Sequence, residues 1–115
     1  MPRPVGVKRL ATIRIRGERM SLYKSNYVTG GGIALEVMCK DAGYLVPFLT
    51  LTVNFPNHPD IAIGEFAVKT YSENEPYIAD IWASGLFEDT GKRVAGGFAT
   101  MPIWKLKGDS YGTTK

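Results

Sequence analysis

The sequence predicts an α+β fold: an antiparallel sheet of about six strands, with one short helix over residues 75–84 packed on one face and inserted before a C-terminal hairpin. Three observations carry this reading. Apolar and polar residues alternate with period two through most of the first half. A single segment, "SENEPYIADIWASG", spaces its apolar residues at i, i+3 and i+4. Breakers rich in glycine and proline separate the runs. At 115 residues the chain is expected to form one domain, 1–115, with its core over 9–106 and flexible ends at 1–8 and 107–115.

The first run, "LATIRIR", sets Ala11, Ile13 and Ile15 against Thr12, Arg14 and Arg16, which reads as a half-buried strand with one basic face. Gly17 allows a turn. "RMSLYKSNYV" continues with Met20 and Leu22 opposite Tyr23, Ser25 and Tyr27, until "TGGG" breaks it. "IALEVMC" alternates Ile33, Leu35, Val37 and Cys39 against Ala34, Glu36, Met38 and Lys40, and "DAG" turns the chain. "YLVPFLTLTV" is the strongest strand pattern, read as one continuous element, and "NFPNHPD" is a loop by its prolines and asparagines. "EFAVKTY" is a short strand.

In the helical segment Ile78, Ile81 and Trp82 share one face. Its N-cap is expected at Asn74, because a cap at Ser72 would put Pro76 where a backbone donor is needed. Gly85 is expected to end the helix in the left-handed conformation. A helix of about ten residues must dock to be stable. Burial of Ile78, Ile81 and Trp82 would contribute about 1.5–3 kcal/mol each, which makes Trp82→Ala the most damaging change expected.

"LFEDTGKRVAGGFATMPIWKL" reads as a hairpin turning at "EDTGKR", with Gly91 supplying positive φ. Phe98, Trp104 and Leu106 alternate to one side, Met101 and Ile103 to the other. Pro102 has no N–H to give a sheet, so it belongs on an edge strand or at a bulge, and so does Pro47.

Charge is segregated. Up to residue 24 stand Arg3, Lys8, Arg9, Arg14, Arg16, Arg19 and Lys24 against Glu18. Residues 54–90 hold Asp60, Glu65, Glu73, Glu75, Asp80, Glu88 and Asp89 against Lys69. Such blocks neutralise one another across a fold or leave two electrostatic poles. No apolar run approaches the length that spans a bilayer, so no membrane association is expected. With Cys39 as the one cysteine no internal disulfide forms, and a reducing, cytoplasmic setting is expected.

The residue inventory argues against catalysis. "DTGK" has the wrong spacing for a phosphate loop and too little chain after it for an aspartic protease, whereas turn chemistry explains it. "TGGGI" precedes a strand, not the helix that a dinucleotide fingerprint requires. One histidine, His58, and one cysteine make a poor metal or nucleophile set, and Cys39 alternates onto an apolar face. Glu73 and Glu75 sit where carboxylates favour a helix N-terminus. No enzyme, metal or cofactor is expected.

"PFLTLTVNFP", "EFAVKTYSENE", "SGLFEDTGK" and "GGFATMPIWKL" together resemble a family of small uncharacterised proteins from bacteriophages and integrative or conjugative elements of bacteria. Its marks are the Leu-Thr-Val-Asn strand (Leu51 to Asn54), the Ser-Glu-Asn entry (Ser72 to Asn74), and a closing strand matched by Gly97, Phe98, Pro102 and Ile103. Met101 departs from the family's usual aromatic. The match covers about residues 44–106, and its motifs are structural. The resemblance implies an accessory protein that binds a host protein, such as an inhibitor of a bacterial defence system of the anti-CRISPR or anti-restriction kind. The acidic residues Glu73, Glu75, Asp80, Glu88 and Asp89 would then meet a basic, nucleic-acid-handling partner. The alternative is a small nucleic-acid-binding protein that uses Arg14, Arg16, Arg19, Lys24 and Tyr23, basic residues interleaved with an aromatic on a sheet.

Overall fold

A computed structural model describes residues 7–97 and 99–108 of the chain, and its first sheet is built by tight turns. β1 (Lys8–Ile15) reverses into β2 (Glu18–Asn26) over Arg16 and Gly17, whose φ values are 54° and 81°. β3 (Ile33–Asp41) reverses into β4 (Tyr44–Thr50) over Ala42 and Gly43, at 53° and 86°. Two successive left-handed residues form the turn whose twist matches that of the strands it joins. The order is therefore a meander, β1-β2-β3-β4, antiparallel throughout.

The expected single sheet is two. After Thr50 the chain leaves the first sheet and begins a second, ordered β5-β6-β8-β7, from β5 (Thr52–Val53), β6 (Glu65–Val68), β7 (Phe87–Gly96) and β8 (Ala99–Leu106). The "YLVPFLTLTV" run is therefore divided. At the crossing, Leu51 N–H donates to Leu35 O in the first sheet (2.9 Å), while Leu51 O accepts from Lys69 N–H beside the second (2.7 Å). A strand that changes sheets in this way forms a corner between two packed layers.

Between the layers lies the main core. Ile13, Ile15, Leu22, Leu35 and Val37 of the first sheet meet Phe66, Val68, Phe87 and Trp104 of the second. The second sheet also buries its other face, where Ala67, Val94, Met101 and Ile103 pack under Val53, Phe55, Ile61 and Tyr71. Among the described residues the first sheet has no such second cover. The outward residues of β2–β4 lie exposed or half-buried, apart from Ala34, and Val28 in the loop after β2 is exposed.

The helical segment departs from expectation. Ser72–Tyr77 is a 3₁₀ turn, which accommodates Pro76, and α1 spans only Ile78–Ala83. Asn74 is no cap. It is completely buried, and its Nδ2 donates to Thr50 O (2.7 Å) and Lys69 O (3.0 Å), pinning the segment across the sheet corner. Instead of lying on one sheet face, the helical segment touches both layers. Tyr77 packs edge-on to Phe48, Asp80 accepts from Arg16 N–H (2.6 Å), and Trp82 tilts against Trp104 at 4.9 Å. Ile81 is fully buried but Trp82 is 43% exposed, so Ile81 anchors the helix and Trp82 is the lesser contact. Gly85 ends it with φ 80°, as expected.

"DTGK" lies inside β7, not at the hairpin's end. Asp89 pairs with Trp104 and Arg93 with Pro102, so three residues bulge against one. Local bonds tie the bulge: Thr90 Oγ1 donates to Ile103 O (2.6 Å), and Asp89 Oδ1 accepts from Gly91 N–H (2.9 Å). Gly91 has the expected positive φ, at 85°. Pairing then continues to Gly96 and Ala99, so the strand does not reverse at "DTGK". Pro102 stands beside this bulge, but in an interior strand, so the bulge and not an edge accommodates it. Pro47 has both features, since β4 is an edge strand and its register slips between Val37 and Met38. Phe98 lies outside the described residues, as do residues 1–6 and 109–115 of the ends expected to be flexible. Lys8 already opens β1, and Lys107 N–H donates to Leu86 O (2.9 Å).

Candidate binding surface on the first sheet

Register decides which basic residues meet. β1 and β2 pair Arg14 with Arg19, Thr12 with Ser21 and Arg9 with Tyr23. Their neighbours Ile13, Ile15, Met20 and Leu22 fill the core, so this set occupies the opposite, outer face. Arg9 lies across it, with Nε donating to Ser21 Oγ (3.3 Å) and its guanidinium bonded to Thr12 Oγ1. Arg14 donates to Gly17 O (3.0 Å). Among the described residues neither Arg14 nor Arg19 has a carboxylate in ion-pair contact, and like charges directly opposite in a sheet repel.

The rest of the expected basic set goes elsewhere. Arg16 sits in the turn, its N–H on Asp80 and its guanidinium 5.2 Å above the Tyr77 ring. Lys24 follows the inward alternation of Met20 and Leu22 and pairs with Lys8. The sequence reading missed Arg9, because the irregular pairing between Arg9 and Ala11 breaks the period of two.

Next to the arginines a shallow concavity of about 440 Å³ opens, lined by Tyr23, Tyr27, Ala34, Met38 and Leu45 among others. Tyr27 is held from beneath: its hydroxyl is 2.8 Å from that of Thr52, and burial raises its pKa above the usual phenol value. Glu36 brings a negative charge to the β3 side of this face, where it accepts from Thr50 Oγ1 (2.7 Å). The basic half of the face is therefore the β1–β2 half.

Most of the acidic set is occupied. Glu73 pairs with Lys69 (2.7 Å), Glu88 with Lys105 (3.6 Å) and Asp89 with Arg93 (3.1 Å), while Asp80 holds the Arg16 amide. The Lys69 bond, with local hydrogen bonds, lowers Glu73 to about 2. The Gly91 amide and then Arg93 hold Asp89 below its usual range against its partial desolvation. Of the five, Glu75 alone has no such partner among the described residues.

Cys39 packs against the main core, and His58 Nδ1 accepts from Asp60 N–H (3.1 Å) within its own loop. Among the described residues no group of histidine, cysteine and carboxylate side chains gathers to hold a metal ion, and no helix is long and apolar enough to cross a membrane. Comparison of the chain with protein-family models, curated proteins and solved structures finds no match.

Proposed function

We propose that the chain is a non-enzymatic binding protein of a phage or mobile genetic element, and that it holds single-stranded nucleic acid on the outer face of its first sheet. One observation carries the reading. Arg9, Arg14 and Arg19 stand together on an open sheet face beside Tyr23, with the Arg14–Arg19 repulsion relieved by no carboxylate among the described residues. A phosphate backbone would supply the missing counter-charge, and the tyrosine offers a surface on which a base stacks.

Fluorescence anisotropy with a labelled single-stranded oligonucleotide tests this. Affinity is expected to fall linearly with log salt, and Arg14→Glu with Arg19→Glu to abolish binding in low salt. Absence of binding by the native chain in low salt would end the proposal.

A second reading keeps the host protein as partner, as an inhibitor of a defence system. The apolar concavity at Tyr23, Met38 and Leu45, rimmed by charge, favours it, because an apolar centre with a polar rim is how protein interfaces are built. Under this reading Leu45→Arg abolishes capture of the partner and leaves oligonucleotide binding intact.

A further inference from the structure

The inward end of β1–β2 opens into a second, larger cleft of about 740 Å³, within the size range of small-molecule sites. Its walls are the Tyr27–Gly32 loop, the 54–64 loop, and the ends of β1, β2 and β8. Lys8 and Lys24, directly opposite one another across β1 and β2, both line it, a second like-charge pair with no carboxylate in contact among the described residues. Lys105 also lines the cleft, and the one lining carboxylate, Glu65, is bound by Lys92 at 2.7 Å.

The glycine wall is fixed in place. Tyr27 N–H donates to Gly32 O (2.7 Å), Gly31 N–H to Tyr27 O (3.1 Å) and Asn26 Nδ2 to Gly31 O (3.0 Å). Asn54 Nδ2, from the facing loop, donates to Thr29 O (3.2 Å). Gly30 and Gly31 have positive φ, and a β-carbon on Gly30 would meet Pro56 at 2.8 Å, so the two loops press together there. Gly32 has neither constraint, and its missing side chain leaves room in the cleft. The remaining lining is mixed: Asn57 and His58 stand beside an apolar stretch in which Ile33 and Ile61 are half-buried and Ile63 is fully exposed.

From this arrangement we infer that the cleft binds a nucleoside monophosphate, with its phosphate between Lys8 and Lys24 and its ring against the isoleucines. The lysine pair supplies the charge that a phosphate dianion needs. The volume exceeds what a bare phosphate fills, and the apolar wall suits the face of a planar ring. Lys8 and Lys24 lie on the opposite side of the strands from Arg14 and Arg19, so the inference does not rest on oligonucleotide binding by the outer face.

Titration of the full chain with adenosine monophosphate, followed by amide chemical shifts, tests it. Saturable shifts at Gly31, Gly32 and Lys24 are expected, with adenosine much weaker. Lys8→Gln with Lys24→Gln should weaken binding about tenfold or more, as loss of charge-assisted bonds does. Arg14→Glu with Arg19→Glu should leave it unchanged. No shift with millimolar nucleotide, equal binding of adenosine, or a lysine variant that binds as the native chain does would each overturn the inference.

Discussion

The two sheets have four strands each but differ in exposure. The second is covered on both faces, by the main core and by the Val53–Tyr71 stretch, and its acidic neighbours are tied into ion pairs. Among the described residues the first is covered on one face, and its open side keeps arginines opposed without carboxylate partners. The comparison teaches where free interaction capacity remains. Charges already satisfied within the fold gain little from a partner, whereas unsatisfied like charges gain on meeting an anion.

The comparison breaks first on stability. Ile103 is fully buried on the second sheet's outer side, and Ile103→Ala should cost about 2–5 kcal/mol in chemical denaturation. Met38→Ala, on the first sheet's open side, should change stability by about 0.5 kcal/mol or less. Equal losses would mean that both outer faces are covered. Next comes the corner joining the sheets. Asn74→Ala strips the Thr50 and Lys69 carbonyls of their donor and should cost about 1–3 kcal/mol, read by the same denaturation.

A smaller effect has the opposite sign. Arg19→Thr removes a repulsive cross-strand pair and should stabilise the fold by about 0.2–1 kcal/mol while weakening oligonucleotide binding. Opposed changes in stability and binding mark a residue kept for its surface, and a loss of both would mark it as structural.

The smallest effect is acid dependence. Glu65, Glu73 and Asp89 have folded-state pKa values below their ordinary ones, Glu65 chiefly through Lys92. Their stabilisation is complete above the ordinary carboxylate range and is lost as pH falls through the folded values. Side-chain NMR should place the Glu73 midpoint at about 2, and Lys69→Met should move it toward 4.5. An unchanged midpoint would show that the Lys69 pair is not its cause.

What the sequence made legible was local. Alternation exposes the first four strands, and positive φ at Gly17, Gly85 and Gly91 follows from turn and cap chemistry. What it hid depends on distant partners. The period of two runs unbroken from Leu49 through Leu51 to Val53, so nothing local marks the change of sheet. The bonds of the "DTGK" bulge are those of a turn, and only the pairing on either side distinguishes them. Asn74 has the chemistry of a cap, and its burial follows from carbonyls 24 and five residues away. At the candidate surface the alternation groups Arg14, Arg19 and Tyr23, but the irregular pairing that adds Arg9 and the turn that removes Arg16 appear only with the strands paired.

The most direct test of the open-face account is a map of amide chemical-shift changes on adding a single-stranded oligonucleotide in low salt. The account predicts changes concentrated at Arg9, Arg14, Arg19, Tyr23 and Ser25, reversed by added salt. Changes centred on α1 and β7, or none at all, would contradict it.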